Sequence, residues 1–170
     1  MQFDLIAIIL FLLPPYVANA VPVIFGGGAP VDFGMTAWDG RRWLGDGKTW
    51  KGLIVGIVAG VIVGYAEAGV TGNSAFAFLA FLSSSGAMLG DMLGSFIKRR
   101  LNYERGRPSL LMDQLLFIIV ALLLPYFILA AMLPQVLLPE AVVLVLVVTY
   151  VLHRVMNIIA NLLGLKKVPW

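Results

Sequence analysis

The chain has 170 residues, of which 61% are hydrophobic and 12% are charged, with a formal net charge of +3 at pH 7. Soluble globular domains carry about 45–50% apolar and about 25% charged residues, so this composition excludes an ordinary soluble fold. The absence of cysteine excludes disulfides, thiolate catalysis and thiolate-bound metals, and a single histidine excludes a histidine-rich metal site. The carboxylates, amines, guanidinium groups, hydroxyls and backbone amides that remain suit magnesium and phosphate.

Five apolar runs are long enough to cross a bilayer, which takes about 20 helical residues. We therefore predict an all-α integral membrane bundle of five transmembrane helices with two long cytoplasmic loops, forming a single transmembrane catalytic domain over residues 1–170. The first run carries Asp4 where a signal peptide would be basic, so we interpret it as a retained span. The predicted spans cover residues 3–24, 52–70, 74–97, 113–133 and 139–159.

The twelve basic residues predict the orientation of the bundle. All of them lie in three segments that alternating crossings place on one side of the membrane, and the positive-inside rule makes that side cytoplasmic. We therefore predict a multi-pass protein of the cell membrane whose N-terminus is extracytoplasmic and whose active site and C-terminus are cytoplasmic. Six acidic residues share the basic side, which leaves it a net charge of +6 that should attract anions.

The segment between the first two spans is rich in glycine, aspartate and basic residues. Gly45 to Thr49 superficially resembles the end of a Walker A loop, but the first glycine of that motif would fall at Arg42 and no strand precedes it. We interpret the segment as a lid that brings backbone amides to phosphates at the N-terminus of the second span. Its three tryptophans either stack on a base or lie in the interfacial belt, and the belt is the favoured interpretation. The side chains expected at the phosphates are Lys48, Thr49 and Lys51.

Glycine recurs at every fourth position in the second and third spans. Small residues at this spacing let helices approach closely. We predict that both ladders pack within one bundle, with homodimerisation as the less favoured use. The ladders are Gly52, Gly56, Gly60 and Gly64 in the second span, and Gly86, Gly90 and Gly94 in the third.

The third span ends in a polar block that is the most informative stretch of the chain. Spacings of four and seven place Asp91, Ser95 and Lys98 along one helical face. Seventeen residues of helix after Ser74 put Asp91 about 25 Å deep, just short of the inner edge of the hydrocarbon layer, where an ionisable group is costly and by default functional. The alternative interpretation is an aspartate that pairs with a nearby arginine and seals the bundle.

Asp113 opens the fourth span at the same membrane face as Asp91. An aspartate before an apolar run is also a common helix N-cap, and this alternative stays open. Two carboxylates near one interface, surrounded by lysine and arginine, suit a Mg²⁺ ion that bridges a polyphosphate.

Several ordered motifs together resemble those of the CDP-archaeol synthase family, the archaeal CTP-dependent cytidylyltransferases of ether-lipid synthesis. The pattern G-D-x-x-x-S-x-x-K-R is also similar to the signature of bacterial and eukaryotic phosphatidate cytidylyltransferases, whose later D-R-x-D element begins at the position of Asp113. The chain departs from that element, with Gln114 for the arginine and Leu116 for the second aspartate. The motifs are Asp32-Phe33-Gly34, Asp39-Gly40-Arg41-Arg42, Gly45 to Gly52, Gly90 to Arg100, and Asp113-Gln114.

The resemblance implies that CMP passes from CTP to unsaturated archaetidic acid (2,3-bis-O-geranylgeranylglycerol 1-phosphate), giving CDP-archaeol and pyrophosphate, with Mg²⁺ as cofactor. A lipid phosphate is already an anionic nucleophile, so positioning and charge stabilisation suffice. The expected partners are CTP, the prenylated lipid and membrane lipids, with no nucleic acid. Asp32 and Asp39 are left open between loop structure and a further metal. The implied catalytic residues are Asp91, Asp113, Ser95, Lys98 and Arg99, the metal ligands are Asp91 and Asp113, and the nucleotide-binding residues are Asp46, Lys48, Thr49, Lys51 and Arg100.

Three other classes of protein are weighed against this one. A CTP-dependent polyprenol kinase would share the nucleotide, the metal and the membrane, and would differ in releasing CDP. A transporter would place ionisable groups near the midplane on broken helices, whereas here they crowd one face. A non-catalytic scaffold would need none of the aspartates on the basic side.

Overall fold

The computed structural model describes residues 5–103, 109–129 and 139–165, in which the regular secondary structure is helical apart from two isolated β-bridges. Five helical segments there are long and apolar enough to cross a membrane, which confirms the predicted all-α bundle of five spans. Residues 3–4 and 130–133 of the predicted spans lie outside the described residues. The helices are α1 (Leu5–Ala20), α2 (Pro22–Phe25), α3 (Trp50–Thr71), α4 (Ala75–Arg100), α5 (Leu116–Leu129) and α6 (Pro139–Leu162), and a π-helical turn (Leu110–Leu115) directly precedes α5.

Most helix ends differ from the predicted span boundaries by one to three residues, and two differences have a clear physical reason. The first span is divided into α1 and α2 at Val21, because Pro22 has no backbone N–H to donate to the preceding turn and occupies the first turn of a new short helix. The third helix runs to Arg100, three residues past the predicted end. Hydropathy ends the predicted span before the basic run that begins at Lys98, whereas basic residues in the last turn of a helix are favourable for the helix dipole.

Both glycine ladders are buried between helices of this chain, which confirms the packing prediction. A Cβ on Gly56 would lie 2.7 Å from the carbonyl oxygen of Ala18, so the α3 ladder permits close contact with α1. A Cβ on Gly86 would lie 2.6 Å from the carbonyl oxygen of Val120, so the α4 ladder permits close contact with α5. The bundle is therefore held together by backbone-to-backbone proximity as well as by its apolar core.

The apolar core lies where α1, α4, α5 and α6 converge, toward the end of the bundle that is remote from the first loop (residues 26–49). Just beyond the core, Tyr16 of α1 meets Thr149 of α6 with 2.6 Å between their hydroxyl oxygens. The hydroxyl of Thr149 donates to the carbonyl oxygen of Val145 at 2.6 Å, so Tyr16 is the donor to Thr149. The buried cluster comprises Ile8, Phe11, Leu12, Ala87, Phe117, Ile118, Ala121, Leu122, Ala141 and Val145.

The first loop folds around the buried carboxylate of Asp32. This carboxylate accepts hydrogen bonds from the Arg42 guanidinium at 2.5 and 3.2 Å, and from the backbone amides of Gly34, Leu44 and Gly45. Burial by itself raises the pKa of Asp32, but Arg42 and the three amides outweigh it and hold the pKa well below its usual range. Asp32 is therefore an ionised anchor of the loop, which favours the loop-structure interpretation over a further metal.

Arg100 attaches the first loop to the end of α4. Its guanidinium donates to Asp39 at 2.5 Å and to the carbonyl oxygens of Arg41 and Arg42 at 3.1 and 2.6 Å. It also lies over the rings of Trp38 and Phe96, at 5.4 and 5.3 Å from their centroids. The 61-residue separation between Arg100 and Asp39 makes this a tertiary contact that fixes the loop over the polar block of α4.

Candidate active site

A cavity of about 770 Å³ opens between the first loop, the π-helical turn and all six helices. Among the residues that the structure describes, its charged lining consists of two lysines and two aspartates, which come together from three separate stretches of the chain. Apolar side chains of α1, α2, α4 and α6 form much of the remaining wall. The charged side chains are Lys48, Asp91, Lys98 and Asp113.

Asp91 is paired with Lys48 of the first loop. The Lys48 Nζ lies 2.5 Å from the Asp91 Oδ2, and about a quarter of each side chain is exposed. The loop reaches this point because Thr49 caps α3: its hydroxyl accepts hydrogen bonds from the amides of Gly27 at 3.2 Å and Gly52 at 3.1 Å. The partner of Asp91 is therefore a lysine that the loop delivers, and not the arginine of the alternative interpretation.

Asp113 is paired with Lys98 of α4, with 2.5 Å between Asp113 Oδ1 and Lys98 Nζ. The other carboxylate oxygen of Asp113 accepts a hydrogen bond from the amide of Ser109 at 3.0 Å. Asp113 therefore satisfies a backbone donor at the start of its helix, as a cap would, and still presents an oxygen to the cavity.

The close approach of α4 to the π-helical turn makes the second pair possible. Gly94 faces the carbonyl oxygen of Met112, which a Cβ would contact. Lys98 lies one turn after Gly94 on the same face of α4, so it reaches the residue that follows Met112. π-Helical turns are rare in proteins, and those that occur are often found at functional sites. Here Asp113 and its neighbour Gln114 both lie in such a turn and line the cavity.

The two ion pairs are better explained by function than by stability. Partly exposed pairs of this kind contribute about 0–1 kcal/mol each. Placing four charges in a cavity between membrane-spanning helices is costly, and such groups usually mark sites for ions or substrates.

Five of the ten predicted site residues do not line the cavity, and the structure gives two of them partners elsewhere. Arg100 fastens the loop, and the Asp46 carboxylate pairs with Arg42 at 2.7 Å. Lys51 is exposed in the first turn of α3, and the Nε of Arg99 is buried with no hydrogen-bond partner among the residues that the structure describes. Ser95 is partly buried on α4.

Sequence reasoning missed the uncharged polar residues of the cavity. Thr149, His153 and Asn157 recur at every fourth position along α6, so they share one helical face and all line the cavity. Polar residues at this spacing on an otherwise apolar span were the available signal. Tyr16 and Asn19 on α1 and Gln114 in the π-helical turn complete the set among the described residues.

The donor chemistry of the cavity fits a magnesium ion held jointly by protein and substrate. No group of three or more histidine, aspartate or glutamate side chains that would hold a metal occurs in the described part of the chain. Mg²⁺ usually keeps several waters and binds one or two carboxylates together with substrate phosphates, so a protein cage of three ligands is not needed. Asp91 and Asp113 are the two carboxylates that line the cavity within the described ranges.

A five-span bundle with a charged, partly apolar cavity suits an integral membrane enzyme that handles an amphiphilic phosphate. Residues 2–170 match the family described as CarS-like, CDP-archaeol synthase. CDP-archaeol synthases of Pyrococcus horikoshii and Aeropyrum pernix are each 46% identical to the chain, over 94% and 98% of it and over 94% and 93% of their own lengths. A solved structure of an intramembrane enzyme for archaeal membrane lipid biosynthesis is 42% identical, with a TM-score of 0.81 over 91% of this chain and 95% of that one.

The chain therefore belongs to the CDP-archaeol synthase family. It is a multi-pass membrane enzyme, a CTP-dependent cytidylyltransferase that makes CDP-archaeol. The kinase, transporter and scaffold interpretations are thereby set aside.

Proposed function

We propose that the cavity is where CMP passes from CTP to unsaturated archaetidic acid, by in-line attack of the lipid phosphate on the α-phosphorus of CTP with release of pyrophosphate. The observation that carries this proposal is the convergence of two lysine–aspartate pairs in one cavity whose other walls are largely apolar. A lipid phosphate and a nucleoside triphosphate need cationic partners, and the lipid tails need apolar ones.

The chain's own groups supply positioning and charge. The lipid phosphate is an anion at neutral pH, so the reaction needs no histidine or cysteine base. Lys48 and Lys98 are placed to neutralise phosphate oxygens, and preorganised charge of this kind is a major source of rate acceleration. Asp91 and Asp113 would hold Mg²⁺, which supplies further neutralisation of the polyphosphate when bound.

We place an exit for the lipid tails toward the membrane in a gap between α2 and α6. Val23 and Ile24 of α2, and Leu152 and Met156 of α6, line the cavity and are exposed. The Tyr16–Thr149 hydrogen bond closes this gap toward the core. We place the prenyl chains in the gap, with the phosphate directed toward Lys98.

The reaction is tested by following two labels of CTP with purified protein, archaetidic acid and Mg²⁺. We expect the α-³²P label to enter the lipid and the γ-³²P label to leave as pyrophosphate, and a chelator to stop both until Mg²⁺ is restored. Transfer of the γ label to the lipid would instead establish a kinase, and full activity in the chelator would remove the metal from the proposal.

We also propose that the first loop and the end of α4 face the cytoplasm. The Arg100–Asp39 and Lys48–Asp91 contacts support the placement of these two basic segments on one side of the membrane, and the positive-inside rule makes that side cytoplasmic. The basic residues of the predicted segments at positions 105, 107, 166 and 167 lie outside the described residues.

Single cysteines in this cysteine-free chain test the orientation. In intact cells an impermeant thiol reagent should label Thr71→Cys, at the exposed end of α3, and should leave Met35→Cys, exposed in the first loop, unlabelled until the cells are opened. The reverse pattern would mean that the bundle is inserted the other way round.

A further inference from the structure

Gln114 lines the cavity and is 4% exposed, directly after Asp113 in the π-helical turn. Its Oε1 is buried and has no hydrogen-bond partner within residues 5–103, 109–129 and 139–165. Buried acceptors without a partner are rare in native proteins because the lost hydrogen bond is not replaced. An orphaned acceptor in the wall of a substrate cavity therefore points to a donor on the substrate.

Only one of the two substrates carries suitable donors. The lipid is a diether, so its glycerol oxygens accept hydrogen bonds, and its ionised phosphate also accepts them. The oxygens of the CTP triphosphate likewise accept hydrogen bonds, and Lys48 and Lys98 can donate to them. The remaining donors are on the nucleoside: the 4-amino group of cytosine and the ribose hydroxyls.

The surroundings of Gln114 suit a nucleoside. Phe117 follows one turn later and lines the same cavity. Its ring is buried in the apolar core, and its centroid lies 6.0 Å from those of Tyr16 and His153, whose partly buried rings give the cavity wall its aromatic surface. Aromatic surface beside a hydrogen-bonding group is a common arrangement for nucleobases, because every base offers a flat face and a polar edge.

We propose that Gln114 is a specificity-determining residue that recognises the nucleoside of CTP, with its Oε1 accepting a hydrogen bond from the cytosine 4-amino group or a ribose hydroxyl. The inference rests on the proposed placement of the CTP phosphates beside Lys48 and Lys98. It goes beyond that placement because it assigns the nucleoside to a residue that carries no charge and binds no phosphate.

The test is the substitution Gln114→Met, which keeps the side-chain volume and removes the amide. We expect the KM for CTP to rise about tenfold while the KM for the lipid phosphate stays unchanged, because a neutral hydrogen bond to the nucleotide alone is lost. UTP lacks the 4-amino group, and 2′-deoxy-CTP and 3′-deoxy-CTP each lack one hydroxyl. The wild type should discriminate against the analogue that lacks the recognised donor, and Gln114→Met should lose that discrimination by about the same factor.

Two further variants keep the result interpretable. Ser84→Ala removes another buried side-chain oxygen that has no partner among the described residues. Because Ser84 lies on a part of α4 that does not line the cavity, this variant should leave the nucleotide preference unchanged. Gln114→Asn retains a buried amide that is one methylene shorter, so a folded protein with an intermediate KM for CTP is expected even where the methionine variant unfolds.

An equal loss with CTP and all three analogues, or a rise in the KM for the lipid, would overturn the inference. Wild-type nucleotide preference in both Gln114 variants, together with a large loss of turnover in Asp91→Asn, would overturn the role of Gln114 alone. Normal turnover in Asp91→Asn would instead overturn the proposed function on which the inference rests.

Discussion

Asp91→Asn and Asp113→Asn should each lower turnover at least ~100-fold while the protein still folds, because each change removes charge that a divalent ion requires and preserves side-chain size. The remaining lysine of each pair is partly exposed, so it tolerates the loss of its partner. Turnover is measured as CDP-archaeol formed per minute across a magnesium titration, with thermal unfolding as the check on folding.

Asp46→Asn is the matched control for the two carboxylate variants. The Asp46 side chain is 55% exposed, pairs with Arg42 and does not line the cavity. We expect its turnover to stay within about threefold of the wild type, since surface substitutions have small effects. Near-normal turnover in either cavity variant at any magnesium concentration would mean that the substituted aspartate is a helix cap or a structural ion-pair partner and does not bind the metal.

Lys98→Ala should lower turnover about 100-fold, and Lys48→Ala should raise the KM for CTP at least about tenfold. Lys98 reaches the cavity from α4 beside Asp113, and we place it nearest to the reacting phosphates. Lys48 is carried on the first loop, so it should act mainly through nucleotide binding. Steady-state titrations of CTP and of the lipid phosphate separate the two effects.

Neighbouring cations serve as controls for the two lysines. Lys51 and Arg99 have the same charge and lie within three residues of Lys48 and Lys98, yet neither lines the cavity. Their alanine variants should therefore change either constant by less than about threefold. Equal effects at all four positions would mean that the basic face acts as a diffuse field and that the cavity lysines have no special part.

The spans were predictable because hydropathy and bilayer thickness dominate the energy of an apolar helix. The glycine ladders were readable for a similar reason, since spacing alone fixes a helical face. The break before Pro22 and the extension of α4 to Arg100 were not predicted, because both depend on local backbone chemistry that a hydropathy profile does not record.

The polar block was predictable only in part. At 100° per residue, Asp91 and Lys98 lie about 20° apart around α4, whereas Ser95 lies about 60° from Lys98, which is consistent with its absence from the cavity lining. Gly94, which makes the close contact with the π-helical turn, lies about 40° from Lys98 on the side away from Ser95.

Long-range partners were beyond the reach of the sequence. The local sequence around an arginine in a basic run is the same whether the side chain binds phosphate or a distant loop. The contact of Arg100 with Asp39 is therefore visible only in the three-dimensional structure. Gln114 was noted only as part of the Asp113-Gln114 motif and as a departure from the D-R-x-D element. Its interest comes from its burial and its unpartnered oxygen, which spacing does not reveal.

Equilibrium dialysis of labelled CTP against the purified protein tests most directly whether the paired lysines and aspartates form the nucleotide site. The wild type should bind CTP in the presence of Mg²⁺ and lose most of that binding in a chelator. The double variant Asp91→Asn/Asp113→Asn should bind CTP at least about tenfold more weakly in Mg²⁺ and show no response to the chelator. Mg²⁺-dependent binding of wild-type strength in the double variant would contradict the account.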